Sequence, residues 1–224
     1  MLCFARWKKD ENHRHCFRDQ TILQFGDSWK LLANFILLNP GSASPKDEIK
    51  QNKFLEDSDL PFYINDKDNG YYEFTIDRLM NDLLKLYSAN YSGGVLKLYN
   101  LFNLKNQYSG DAIAGFKENM HNPNMVTAQE EILFAGAPVI IACGRKASSD
   151  DDLKRELEKY IKSALKSSSQ IYSLSKVDRK LFAIVKTEPD ENGIIESYHP
   201  SYTFKYGNAT ILEQDITRHL TLLL

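Results

Sequence analysis

The sequence predicts an α/β fold: a three-layer sandwich around a mainly parallel central sheet of about four strands, with an antiparallel N-terminal hairpin. Two observations carry that prediction. Strand-like and helix-like segments alternate along most of the chain, the pattern of a sheet covered by helices. The strand-like runs, such as WKLLANFILL at 29–38 and PVIIACG at 138–144, are short and nearly all apolar, which fits strands covered on both faces better than an amphipathic helix. A chain of 224 residues has the size of one domain and can bury a core without disulfides or metal, so residues 1–224 read as a single α/β domain.

The elements follow in order. RHCFRDQTILQF at 14–25 has strand composition, and GDS at 26–28 turns the chain into 29–38, the first central strand. Residues 45–72 are polar and acidic and carry a DNG turn signal at 68–70, so they read as an excursion with room for one short helix. Thr75 then caps a helix on which Ile76, Leu79, Leu83, Leu84 and Tyr87 recur at helical spacing, and Gly93 and Gly94 end it. VLKLYNLF at 95–102 is the second strand. NPNMVTAQEEILFAG at 122–136 is expected as a helix closed by Gly136, leading into 138–144 as the third strand. Ser148 and Ser149 with three aspartates open a helix through Lys166, whose Leu153, Leu157, Tyr160, Ile161, Ala164 and Leu165 share a face. Its early acids and late lysines match the helix dipole. KLFAIVKT at 180–187 is the fourth strand, Asn192-Gly193 signals a tight hairpin into IIESYHP, and a closing helix is expected from Asn208.

Hydrophobic residues at 42% and charged residues at 26% are ordinary for a soluble globular protein, and no stretch is long and apolar enough for a membrane span. The N-terminal MLCFARWKKDENHRH has no apolar leader region and the cysteines number three, so the expectation is a cytoplasmic protein with no membrane partner. A net charge of -2 excludes the overall basic signature of a nucleic-acid binder. Its distribution is uneven: residues 45–77 hold nine acids against four lysines, and the remainder of the chain is net basic.

In an open parallel sheet, ligands bind outside the carboxyl ends of the strands. The residues expected there are Asn39-Pro40-Gly41-Ser42 after the first strand, Asn100 ending the second, Gly144-Arg145 after the third and His199-Pro200-Ser201 after the last. Gly41 allows the backbone close to a ligand, and Ser42 and Ser44 suit phosphate or ribose contacts. Glu73 and Arg78 are further candidates. Tyr202, Phe204 and Tyr206 are aromatic candidates that alternate with polar residues.

LLNPGSAS, VLKLYNLF, IIACGRKA and YHPSY, in that order, together with EFTIDR at 73–78, resemble the uncharacterised bacterial family called domain of unknown function 1643 over about Arg14 to Tyr202. More distantly the layout is similar to the uracil-DNA glycosylase superfamily. Its mismatch-specific members have an asparagine-proline-glycine motif like Asn39-Pro40-Gly41, and its uracil-specific members have an asparagine like Asn100 and a histidine-proline-serine like His199-Pro200-Ser201. The resemblance implies a glycosylase-like fold that binds a nucleobase, nucleotide or nucleic acid. It implies that Asn39 holds an attacking water, Asn100 reads a base edge and His199 hydrogen-bonds the departing base. Those roles suit the chemistry: a fixed donor stabilises charge on a leaving base, and an amide orients water without having to be a strong base. Where the uracil enzymes carry an aspartate, however, this chain has Asn39, and the iron–sulfur cysteine pattern of some members is missing. No cofactor is implied. In such enzymes a residue after the histidine motif enters the duplex, a position open to Tyr202, Phe204 or Tyr206. An aromatic stacking on the base would have to come from Phe54, Phe62 or Tyr63.

Each motif also has a plain structural reading. Asparagine, proline and glycine are ordinary turn residues. A strand-end asparagine often satisfies backbone groups, as Asn100 would. Beside Pro200, His199 suits a structural role, while Glu73 and Arg78 suit a surface pair and Arg145 a solvated position. Cys3, His13, His15 and Cys16 match no standard ligand spacing, so no metal is expected. Two alternative functions stand beside the N-glycosidic hydrolase: a non-catalytic nucleotide or nucleic-acid binding module, and a phosphate-handling hydrolase using Glu73, Arg145 and His199.

Overall fold

The structure, a computed structural model, describes residues 2–10, 12, 14–48, 60–64, 70–176 and 182–205. Nine strands, β1 (Leu2–Lys9), β2 (Cys16–Phe25), β3 (Leu31–Leu37), β4 (Ser44–Glu48), β5 (Tyr71–Thr75), β6 (Gly94–Asn100), β7 (Val139–Ile141), β8 (Ile171–Lys176) and β9 (Phe182–Lys186), form one sheet in the order β4-β5-β1-β2-β6-β3-β7-β8-β9. At its centre β6, β3, β7 and β8 run parallel, and the other neighbouring pairs are antiparallel. The fold is α/β, but the expected mainly parallel sheet of four strands is corrected to a larger, mostly antiparallel sheet with a parallel centre. The fourth parallel strand is β8; residues 180–187 supply the antiparallel strand β9 at the edge. β1 and β2 form the N-terminal antiparallel pair, and β6 separates β2 from β3.

The helices are α1 (Arg78–Ser88), α2 (Ser109–Glu118), α3 (Lys146–Ser149), α4 (Asp151–Lys166) and α5 (Pro200–Lys205). Asp77, not Thr75, caps α1, accepting the Met80 N–H at 3.0 Å; Thr75 ends β5, which pairs with β1 and β4. The helix expected at 122–136 is replaced by loop with one 3-10 turn, Gln129–Glu131. Its polar groups bond other elements instead: the Met125 carbonyl accepts from Asn103 N–H at 2.7 Å, and Leu133 N–H donates to the Tyr99 hydroxyl at 2.9 Å. Asp150 caps α4 through the N–H groups of Asp152 and Leu153. Around Asn192-Gly193 the Asp190 carboxylate accepts from Asn192 and Ile194 N–H, both at 2.9 Å, and no strand follows among the described residues. Asp68 and Asn69, Phe54, Tyr206 and the helix expected from Asn208 lie outside the described residues.

Alternation along the central strands splits the core between the two faces. Phe35, Leu37, Leu96, Leu98 and Ile140 pack with Leu83, Leu84 and Tyr87 of α1. Ile36, Tyr99, Val139 and Ile141 pack on the other side with Phe116 of α2 and with Leu153, Leu157, Tyr160 and Ile161 of α4. Phe62 lies with Phe4, Ile22, Tyr71 and Val95, and Tyr63 packs against them. Lys97 is buried there, where its ammonium donates to the Phe62 carbonyl and burial pushes its pKa down to about 7.

One irregularity governs the region beneath the strand ends. Phe4 pairs with Ile22 but Arg6 pairs with Asp19, so β2 carries one residue more than β1 over this stretch. Gln20, at φ 49°, takes the left-handed conformation this bulge requires. Its amide donates to the Glu131 carbonyl at 3.2 Å. Beyond the bulge the alternation is inverted. Arg18 turns toward the face of Trp7 and Phe74, and Asp19 turns to meet Arg6. Arg6, fully buried, makes two bonds to Asp19, at 2.8 and 2.6 Å, and two to Glu131, at 2.7 and 2.6 Å. Burial would depress its pKa, but these bonds and charges outweigh it and raise it.

Removing one member of a buried ion network strands the others without a counterion. Arg6→Ala should therefore lower unfolding stability by about 3–5 kcal/mol, read as a shift of the urea midpoint. A loss comparable to an average surface substitution would show that the network contributes little.

Candidate functional site

A cavity of about 1080 Å³ opens beyond the carboxyl ends of β3 and β7. Most of the expected residues line it: Asn39, Pro40, Gly41 and Ser42 after β3, Gly144 and Arg145 after β7, and His199, Ser201 and Tyr202 around the start of α5. Arg78, the first residue of α1, lines it as well and extends into solvent, 3.7 Å from Asp82. Two candidates do not. Glu73 is exposed in β5 and outside the lining, so Glu73, Arg145 and His199 form no common constellation. Asn100 is 1% exposed and also outside it. Its register partner is Leu37, whose face it shares and which does line the cavity, while the Asn100 amide is buried outside the lining. Neither side-chain atom of Asn100 has a hydrogen-bond partner among the described residues. Its carbonyl accepts from Tyr160 at 2.7 Å.

The chain leaves β3 and β7 through left-handed glycines, Gly41 at φ +69° and Gly144 at φ +90°. A Cβ on Gly144 would make only ordinary contact with the His199 Cβ, at 3.5 Å, so the left-handed φ and not lack of space calls for glycine there. Asn39 is fixed by its amide nitrogen, which donates to the Asn106 carbonyl at 2.7 Å and leaves the amide oxygen as the acceptor. Ser44 lies outside the lining, where its hydroxyl accepts from Lys105 at 2.7 Å.

His199 keeps one side open to the cavity while protein atoms surround the rest of the ring, and burial pushes its pKa down to about 4. The imidazole is therefore neutral at neutral pH. The Ser201 N–H points to Nδ1 at 3.3 Å, with the Ser201 hydroxyl 2.9 Å from the same atom. Nδ1 is thus the acceptor, the proton sits on Nε2, and the ring presents a neutral N–H donor.

Several lining residues were not among the expected ones: Arg18, Asp77, Lys146, Lys176 and Tyr198. Among the described lining residues five cations, Arg18, Arg78, Arg145, Lys146 and Lys176, face two acids, Asp77 and Asp82, so the described lining is net positive. Tyr198 and Tyr202 supply aromatic rings, their centroids 6.1 Å apart, whereas Phe62 and Tyr63 pack in a separate cluster around Tyr71 and Val95. The side chain of Phe204 lies outside the described residues. A smaller hollow of about 710 Å³, lined by Arg14, His15 and Lys105, adjoins the cavity at Ser42 and Gln107.

Arg18 is the unusual member. It is 1% exposed, and among the described residues its Nε and Nη1 have no hydrogen-bond partner and no carboxylate lies within ion-pair distance. Its guanidinium lies 5.7 Å from the Trp7 ring centroid and 5.3 Å from that of Phe74. Burial pushes its pKa down to about 10, countered mainly by the charge of Asp77, so it stays protonated at neutral pH. Two cation–π contacts recover about 0.5–2 kcal/mol each, whereas two stranded donors cost about 1–3 kcal/mol each, and more for a charged group. The rings soften the deficit without closing it. A sequence signal existed: Arg18-Asp19 is a charged pair inside an otherwise strand-like segment, which only a network or a ligand accommodates.

Among the described residues, no three His, Cys, Asp or Glu side chains cluster to hold a metal. Cys3 is buried in the core and His15 sits 2.9 Å from Asp10, while His13 lies outside the described residues. No helix among the described residues is long and apolar enough to cross a membrane. Compared with protein-family models, with curated proteins and with solved structures, the chain matches none.

The depressed pKa of His199 sets a pH dependence. Between its ordinary value of 6.5 and about 4, the unfolded chain binds a proton that the folded ring refuses. Stability from this source is complete above pH 6.5 and drains away as pH falls toward 4. Over that interval the wild-type urea midpoint should fall more steeply than that of His199→Asn. Parallel profiles would mean that the ring is not held neutral.

Proposed function

We propose that the rim cavity binds a nucleobase or nucleotide and that the chain hydrolyses its N-glycosidic bond, in a fold related to the three-layer glycosylase sandwich. One observation carries this: Asn39 and His199, from distant parts of the chain, line one cavity together with Gly41, Gly144 and two tyrosines. The ordered motifs that resemble domain of unknown function 1643 and the uracil-DNA glycosylases support the same assignment.

The chemistry is divided between the two side chains. As the C1′–N bond breaks, the base leaves with the bonding electron pair, and charge builds on its oxygen. The His199 Nε2–H stabilises that charge as a neutral donor, without having to lose a proton. Asn39, its nitrogen already engaged, holds a water through its oxygen. The water oxygen bonds to C1′ and its surplus proton passes to solvent or to the departed base. Because the sugar is already cationic when water adds, an amide suffices where a carboxylate would activate more strongly. Tyr198 and Tyr202 provide faces against which the heterocycle stacks.

Asn39 in place of a carboxylate also favours a second reading, a binding module without turnover. Incubation with uracil-containing and deaminated single- and double-stranded DNA, nucleosides and nucleotides separates the two. Base release is expected with at least one substrate, lowered about 10²–10³-fold in His199→Ala and abolished when Asn39→Ala is added. Thermal stabilisation by a nucleotide without base release would establish the binder. Neither release nor stabilisation would remove both.

A further inference from the structure

We propose that the floor of the cavity is a binding subsite for a terminal phosphate monoester, centred on Arg18, so that the ligand is a nucleoside monophosphate or a phosphorylated end rather than a free base or nucleoside. This rests on the reading of the cavity as a nucleotide site and adds to it the group that anchors the nucleotide.

Buried charges are ordinarily paired or neutralised. Arg18 is neither: its protons stay on at neutral pH, and Nε and Nη1 have no partner among the described residues. Asp77, the acid whose charge bears most on it, caps α1 through Oδ1 and makes no ion pair with Arg18 among the described residues. An anion entering from the cavity would supply the close counterion. A guanidinium presents a planar fork that fits two oxygens of a phosphate. Around it the surroundings are suited to the same ion. Arg145, Lys146 and Lys176 add positive potential nearer the mouth.

Depth decides between the sources of phosphate. A diester backbone runs past a surface and contacts side chains that project into solvent. A floor residue that is 1% exposed is reached only by an end group.

Calorimetric titration of the full chain with a nucleoside 5′-monophosphate, the matching nucleoside, ribose 5-phosphate, inorganic phosphate, and a short oligonucleotide with and without a terminal phosphate tests this. The monophosphate should bind at least tenfold tighter than the nucleoside, ribose 5-phosphate should bind measurably, and the oligonucleotide should gain only when its end is phosphorylated. Arg18→Gln should abolish the phosphate-dependent increment while nucleoside binding persists. Should that variant fail to fold, Arg18→Lys, which keeps the charge but loses the fork, should lower the increment at least tenfold. A monophosphate that binds no tighter than its nucleoside, an oligonucleotide indifferent to its end, or a folded Arg18 variant with an intact increment overturns the subsite. If the nucleoside binds and phosphate adds nothing, the nucleobase site survives and the phosphate subsite fails. If ribose 5-phosphate binds as well as every nucleotide, the subsite stands and the nucleobase reading fails.

Discussion

The extra residue in β2 is the constraint on which the site depends. Without it, strand alternation would place Arg18 and Asp19 on the opposite faces from those they occupy. With it, one short step of chain sends a guanidinium under the cavity and a carboxylate into a buried ion network on the far side. The left-handed Gln20 carries a backbone cost of order 1–3 kcal/mol, and its side-chain bond to Glu131 offsets part of that. Glu131 is also the second carboxylate on Arg6. The same residue therefore helps hold the bulge and the network that balances Asp19, and through them the position of Arg18.

Around that anchor, the parallel centre of the sheet does what parallel sheets do: it ends several strands side by side and lets their connections form a rim. β3 and β7 end next to one another, and each exits through a glycine in a conformation that other residues adopt at a cost. The two exits bring Asn39 and Gly144 to the same opening, and the chain before α5 closes it with His199. β6, parallel to β3 and antiparallel to β2, contributes none of the described lining residues; its terminal Asn100 is buried, with the Tyr160 hydroxyl on its carbonyl. Being at a strand end is thus insufficient; the end must also lie where the next connection turns away from it.

That distinction marks how far the sequence could be read. Runs such as ANFILL and VIIA announce buried strands by composition alone; β3 and β7 fall within the predicted segments, and β6 begins one residue before its own, at Gly94. α4 was legible because its apolar face, acidic start and basic end agree. β1 was not, since LCFARWKK reads as a charged terminus until the partners of Arg6, a carboxylate thirteen residues on and another in a loop far along the chain, are known. Residues 122–136 carry helical spacing, yet their backbone groups are claimed by Asn103 and Tyr99, so tertiary bonds override local preference. Of the site, the motifs that leave strands through glycine were legible. Arg18 was hidden by the bulge, because no periodicity argument anticipates a change of phase within a strand.

The cavity's charge then ties the two proposals together. Burial keeps His199 neutral, and the positive lining favours negative charge on a departing base. That lining opposes the positive charge that develops on the sugar in the same step, since like charges in a low-dielectric pocket repel strongly. Among the described lining residues Asp77 and Asp82 supply two negative charges against five cations, which leaves a sugar without a phosphate in an unfavourable field. A phosphate seated on Arg18 narrows that imbalance near the floor. It brings up to two negative charges, covalently linked to the sugar that becomes cationic, and it pairs a buried cation that has no carboxylate within ion-pair distance among the described residues. On these proposals the phosphate is more than a handle for affinity, because its own charge makes the glycosidic bond breakable in a pocket otherwise built for anions.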